Sequence, residues 1–317
     1  MSTTATRKPE AVVDTTAAPD RRPARRRRAI RNSLLFLALI APNLIIILVF
    51  SYWPTLYNLY LSLTDWDMVA PMPEFVGLEN YESIFTDPDF GQALGNTAIF
   101  TLVSTVATLI GGLAMGTLLA SRLRFSGLVR TFAFVPHMLP GAAVGMLWLF
   151  MFDPNYGLSR VVFDLFNAAS PQWTTTSAWS IWSITIAYTW QRLGFVTIIY
   201  YTAILDLPRD VYEAASLDGA TGWRLHRRIT LPLISPVTLF LSVTGVISAA
   251  QAFDIIAMMT GGGPGTSSTT LSWMIYEQAF QKFDVGKSAT AATIMFVGLL
   301  ILTFIQLRIG DKKVHYS

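Results

Sequence analysis

Residues 207–236 read LPRDVYEAASLDGATGWRLHRRITLPLISP, a polar and charged stretch set between two strongly apolar ones. Pro208 suits the first position of a helix, where its missing N–H would lack a partner in any case. Helix-compatible residues follow as far as Asp218, and Gly219 can end the helix by turning left-handed. A second short helix can start near Thr221, an N-cap residue, and run to Pro232, with Leu225 and Ile229 stacked one turn apart. Ala214 and Ala215 then leave a thin, small-residue surface on the first helix. Such a surface can sit close inside another protein's groove, with Glu213, Arg224, Arg227 and Arg228 at the rim. The alternative is a solvated loop between two membrane spans, which composition alone would favour.

The composition narrows the class. Of 317 residues, 52% are hydrophobic and only 14% charged, against about 25% charged in an average soluble protein. The chain is long enough for several membrane spans, but not for several large soluble domains as well. With no cysteine there is no disulfide, thiolate metal site or cysteine nucleophile. His137, His226 and His315 are the only histidines, which argues against a histidine-rich metal site.

A span needs about 20 mainly apolar residues. Six stretches qualify: 33–52, 97–120, 131–152, 181–205, 237–259 and 289–307. Alternate loops hold nineteen Lys/Arg on one side and three on the other, with Arg192 left inside a span. Residues 62–96 hold none and carry seven acidic residues. The basic side faces the cytoplasm, which puts both termini and the 206–236 loop inside. The expectation is an all-α membrane protein of six transmembrane helices, with a basic cytoplasmic tail over 1–32 and a six-span domain over 33–317. The tail's Thr, Ala, Pro and Arg lack apolar periodicity and read as disordered. Its Arg25–Arg28 cluster before an apolar run resembles a signal peptide, but no small-residue cleavage site precedes Tyr52-Trp53-Pro54, so the first helix is retained. A juxtamembrane basic run meets anionic lipid headgroups in preference to nucleic acid.

Two features mark the spans themselves. Gly112 and Gly116, four apart and beside Gly111, permit close helix–helix approach. Pro136 and Pro140-Gly141 kink or break the third span, which is tolerable only where neighbouring protein satisfies the freed carbonyls. No internal repeat is visible.

The spacing Glu213-Ala214-Ala215, three residues, Gly219, nine residues, then Ile229-Thr230-Leu231-Pro232 resembles the cytoplasmic signature loop of permease subunits in binding-protein-dependent ABC importers, and matches it at every fixed position. The likeness extends from about residue 33 to the C-terminus. Phe75-Val76-Gly77-Leu78-Glu79-Asn80-Tyr81, Asp87-Pro88 and Asn96-Thr97 look like the outer loop of the carbohydrate-uptake branch. Trp190, Gly194-Phe195 and Leu207-Pro208 resemble its fourth span, and Phe253-Asp254 with Thr260-Gly261-Gly262-Gly263-Pro264 its fifth span and the turn beyond. Gln306-Leu307-Arg308 and Val314-His315-Tyr316 are similar to the first of the two permeases in sugar and glycerol-3-phosphate systems.

The resemblance implies a permease core working with a second homologous permease, a dimer of ATPase subunits and an extracytoplasmic solute-binding protein. It implies that Glu213, Ala214, Ala215, Asp218 and Gly219 couple this chain to the ATPases, and that ATP and Mg are held by those partners. This chain then carries no catalytic residue, metal or cofactor of its own. The glycine-rich turn at 261–265 is no phosphate loop, because no Gly-Lys-Ser/Thr follows it.

Ionisable side chains inside spans cost about 2.5–3.5 kcal/mol on insertion scales and so point to a cavity or a partner. Arg192 and Asp254 stand out. They pair with each other or with the second permease, or they line a polar substrate pathway with Gln191 and Gln251. Tyr188, Trp190 and Phe253 would be its aromatic walls. Sugar recognition needs that mixture of aromatic faces and fixed polar groups, and a guanidinium also matches phosphate. His137 reads as a packing residue. A self-sufficient secondary transporter or channel would leave the signature loop unexplained, and an intramembrane enzyme would need more clustered ionisable groups than these.

Overall fold

The computed structural model describes residues 36–121, 126–217, 219–220 and 222–310. The 1–32 tail, Arg122, Arg124, Asp218, Thr221 and Val314-His315-Tyr316 lie outside them. The chain divides into two units, Met1–Leu56 and Tyr57–Ser317.

What is described of the first unit is helical and has no buried residue. It belongs to α1, Phe36–Leu61. Pro54 cannot donate to a helical ladder, and just before it the helix widens into a π-turn over Leu48–Tyr52, with Trp53 N–H bonded to the Leu48 carbonyl.

The second unit begins with the last turn of α1. Asn58 there donates to the Ala289 carbonyl at 3.1 Å and to Thr293 Oγ1 at 3.1 Å. A small hairpin follows, β1 (Thr64–Asp65) against β2 (Glu74–Phe75), antiparallel with Thr64 opposite Phe75. Asn80 in α2 (Glu79–Thr86) fastens this loop by donating to the carbonyls of Ser62 and Thr64. Asp87 caps α3 (Pro88–Ala120) by accepting from Asp89 N–H. At the same end, Asn96 donates to the carbonyls of Thr266 and Thr269, and Thr97 Oγ1 accepts from Leu271 N–H. Asn80 thus ties α2 to the start of the hairpin, and Asn96 with Thr97 ties α3 to the turn after residue 260.

Two bent helix pairs follow from the prolines. Helix α4 (Ser126–Met138) and α5 (Gly141–Met151) break at Leu139-Pro140, and the pair is bent by 103°. Pro136 itself stays within α4. After α6 (Leu158–Asp164) comes α7 (Ser177–Leu205), followed by α8 (Arg209–Leu217) and α9 (Gly222–Leu233). Helix α9 meets α10 (Ser235–Ala250) at 67°. Short α11 (Asp254–Met259), α12 (Leu271–Tyr276, prolonged as a π-turn over Glu277–Gln281) and long α13 (Val285–Gly310) complete the chain.

One expectation changes here. The fifth apolar stretch, 237–259, is not one helix: α10 stops at Ala250 and α11 restarts at Asp254. Three described helices (α1, α3 and α13) are long and apolar enough to cross a membrane, or five spans if each bent pair counts as one. Helix α7 has the length, 29 residues, but its Gln191, Arg192 and hydroxyl residues dilute its apolar character.

Small residues set the closest crossings. A Cβ on Gly112 or Gly116 of α3 would lie within about 3 Å of Val196, Thr197 and Tyr200 on α7, as the four-residue glycine spacing anticipates. Gly194 of α7 meets α4 more tightly still: a Cβ there would be 1.7 Å from the Ala133 carbonyl oxygen. One apolar cluster around Phe100, Val144, Ile184 and Ile256 joins α3, α5, α7 and α11. These contacts hold the broken helices against α7, and the site lies at their junction.

Candidate functional site: a polar cavity and a two-helix loop

A cavity of about 420 Å³ opens where the α4–α5 break and the α10–α11 break face α7. Tyr188, Gln191, Arg192, Gln251, Phe253 and Asp254 all line it, together with His137, Gly141 and Ser248. The α7 contributions follow from helical spacing: 188, 191 and 192 share one face.

The polar groups are held by particular partners. Gln191 Nε2 donates to the Leu139 carbonyl at 3.0 Å, satisfying an acceptor that Pro140 and the break leave without a helical donor. Arg192 Nε donates to Tyr188 Oη at 3.3 Å, and the guanidinium lies 5.6 Å from the centre of that ring. The Tyr188 ring is fixed edge-on to Phe100 at 5.1 Å. Asp254 lies over the N-terminus of α5: a Cβ on Gly141 would be 2.9 Å from Asp254 Cβ and 3.1 Å from Oδ2. The helix dipole there favours a carboxylate, and the absence of a side chain on Gly141 makes the room for it. Among the described residues no ion pair joins Arg192 and Asp254. Both side chains line the cavity without direct contact.

Trp190 is elsewhere. Its indole packs edge-on against Trp148 at 5.7 Å, beside the apolar cluster. Two residues past Tyr188 is about 200° around a helix, so Trp190 faces away from the cavity. His137 both packs and lines it, with its ring 4.7 Å from that of Phe195. Ser248 sits on α10 three residues before Gln251, which caps that helix, a polar i, i+3 spacing legible in the sequence, whereas His137 has only its proline neighbours to mark it.

The loop after α7 closes α8 with two reverse bonds: Gly219 N–H to the Ser216 carbonyl at 3.1 Å, and Ala220 N–H to the Ala215 carbonyl at 2.9 Å. That double closure needs a left-handed residue after the helix, and Gly219 has φ +74°. Tyr212 and Thr230 hydroxyls meet at 3.2 Å and join α8 to α9. Leu207, Leu231 and Ile234 root the loop in a second apolar cluster around Val196 and Tyr200. The alanine pair does not make one outer surface. Ala215 is buried, while Glu213 and Ala214 are exposed beside Leu217 and Trp223, which are 89% and 71% exposed.

Residues 108–316 match the model of the family described as binding-protein-dependent transport system inner membrane component. The chain belongs to this family. A probable ABC transporter permease protein of Pyrococcus horikoshii is 34% identical to this permease over 265 residues, covering 83% of this chain and 91% of that one. The sn-glycerol-3-phosphate transport system permease protein UgpA of Agrobacterium fabrum is 32% identical over 288 residues, covering 90% and 98%. In fold, the permease is similar to a chain of the bacterial alginate ABC transporter solved in complex with an alginate pentasaccharide-bound periplasmic protein. The TM-score is 0.79 at 21% identity, covering 91% of this chain and 99% of that one.

Proposed function

We propose that this permease carries a carbohydrate-class solute, whether a sugar, an oligosaccharide or a glycerol-3-phosphate or glycerophosphodiester compound, through the cavity at Arg192. The observation that carries the reading is that Arg192 and Asp254 line one cavity without pairing, beside Tyr188 and Phe253. Two charges at that depth are costly unless they serve a hydrated or solute-filled space. The names of the glycerol-3-phosphate and alginate relatives agree with a hydroxylated cargo.

In this reading six spans cross the membrane with both termini cytoplasmic, α7 being a polar span and α10–α11 a broken one. Residues 1–32 form a basic tail against membrane lipid, 33–317 the permease domain and 206–236 the coupling loop. Glu213, Ala214 and Gly219, with Asp218, face a groove on an ATPase subunit, and Ala215 fits α8 closely to the rest of the loop. The assembly comprises a second homologous permease, an ATPase dimer that binds ATP and Mg, and an extracytoplasmic solute-binding protein. This chain is non-catalytic and contacts no nucleic acid.

The test is mass spectrometry of what co-purifies with the chain from native membranes in mild detergent. A second permease, an ATPase and a binding protein are expected, and the binding protein's ligand names the cargo. Recovery of the folded chain alone would overturn the assignment.

A further inference from the structure

A second cavity of about 170 Å³ lies between α3, α7 and α10. Its walls include Tyr188, Arg192 and Ser248, which also line the larger cavity. It is offset along both helices toward the coupling loop: the α10 wall runs from Ser248 back to Phe240, about 12 Å at helical rise. Arg192 is therefore part of the wall between two spaces, one on either side of it.

The far space has unused polar capacity. Thr105 on α3 is 6% exposed, lines it, and has no hydrogen-bond partner for its Oγ1. Most Thr side chains in this chain that lie on helices turn the hydroxyl back to a carbonyl of their own helix, as Thr108, Thr197 and Thr244 do. Thr105 does not. On the opposite wall Gly245 carries no side chain, and a Cβ there would come within 3.2 Å of Thr105 Cγ2. A buried hydroxyl without a partner is unfavourable, and a passing hydroxylated or anionic group would satisfy it.

We propose that this second cavity is a separate solute station on the coupling-loop side of Arg192. It takes the polar head of the cargo from the larger cavity, with Arg192 and Tyr188 reaching that head from either side and Thr105 receiving it. The inference rests on the larger cavity being the solute pathway, and the test separates the two.

Because the chain has no cysteine, single cysteines can be placed without other changes. Thr244→Cys reports the second cavity and Gln251→Cys the larger one. Each is assembled with its partner subunits, freed of reactive cysteines, in proteoliposomes. Each is then treated with an anionic methanethiosulfonate (ethylsulfonate) and a cationic one (ethyltrimethylammonium), at rest and during ATP turnover. With each anion/cation rate ratio divided by that of a free small thiol, Thr244→Cys is expected to favour the anion about tenfold, since one nearby charge is worth about that factor in a partly hydrated site. The ratio should collapse toward one when Arg192→Gln is added. If Thr244→Cys reacts only with membrane-permeant N-ethylmaleimide, or shows no anion preference, while Gln251→Cys reacts with both charged reagents, the second station is overturned and the larger pathway stands. If Gln251→Cys is also inert to charged reagents, the pathway reading itself fails. Thr108→Cys, on the facing helix, repeats the measurement from the other wall should Thr244→Cys not assemble.

Discussion

Gln191 donates its side-chain amide to the carbonyl of Leu139 at 3.0 Å, from the middle of one helix to the break between two others. That bond explains how an apolar segment can be broken at Pro140 without leaving the Leu139 carbonyl unpaired. It also commits one end of a residue that lines the cavity, so the wall of the cavity and the break between the helices are one structure. Gln191→Leu is expected to lower the stability of the purified complex by about 1 kcal/mol. The low end of the 1–3 kcal/mol range applies because the Leu139 carbonyl stands at the cavity side. Thermal unfolding in detergent measures this. An unchanged midpoint would mean that water already serves that carbonyl.

Arg192 has a phenol for a partner and no carboxylate. Replacing it with Gln keeps a donor and removes the charge. Uptake of an anionic cargo should fall about ten- to a hundredfold, the equivalent of one charge-assisted hydrogen bond at about 1.5–3 kcal/mol, while assembly with the ATPases stays intact. Uptake of radiolabelled cargo in proteoliposomes checks this. Undiminished phosphate-ester uptake would rule out an anion-binding role.

Gly141 and Gly194 are both close-contact glycines, but they should fail differently. A Cβ on Gly194 would meet the backbone oxygen of Ala133 at 1.7 Å, and backbone cannot step aside. Gly194→Ala is therefore expected to cost about 3 kcal/mol or more through separation of α4 from α7, and to reduce the yield of assembled complex. On Gly141 the Cβ would meet Asp254 Cβ at 2.9 Å and Oδ2 at 3.1 Å; rotation relieves only the second, so α5 and α11 must part by a few tenths of an ångström, a far smaller shift than Gly194 demands. Gly141→Ala should assemble normally and lose transport instead. Comparing complex yield with uptake per complex distinguishes the two. Loss of assembly in both would make Asp254 a packing residue.

Much of this arrangement was legible from residue types. Pro140 marks the break in the third apolar stretch, the 112/116 spacing marks a close helix crossing without naming α7 as the partner, and Tyr188, Gln191 and Arg192 stand at spacings that share one helix face. The break after Ala250 was not legible. Gln251-Ala252-Phe253 contains no glycine or proline, and only Asp254, an acidic residue at a helix start, hints at it. Trp190 is not separable by residue type: an aromatic ring next to Gln191 and Arg192 suits a cavity wall and an apolar cluster equally, and only the packing against Trp148 decides. Small residues suit a docking face, but residue type does not tell Ala214 from Ala215, and of the two Ala215 is buried.

Gly219 is the sharpest test of the coupling loop. Its φ of +74° is a conformation that L side chains avoid, yet a Cβ there would meet nothing within 4 Å. The requirement is thus one of backbone shape, not space. Gly219→Leu should cost about 1–2 kcal/mol locally, too little to unfold a structure rooted elsewhere by Leu231 and Ile234. It should instead tilt α8 against α9, moving Glu213 and Ala214 from the positions in which they are presented. Gly219→Asn, which tolerates the left-handed region better, should retain most coupling. The expected result for Gly219→Leu is normal membrane insertion with ATP hydrolysis no longer stimulated by loaded binding protein, and uptake reduced in proportion. Substrate-stimulated hydrolysis at the unmodified rate in that variant would remove the turn from the coupling mechanism.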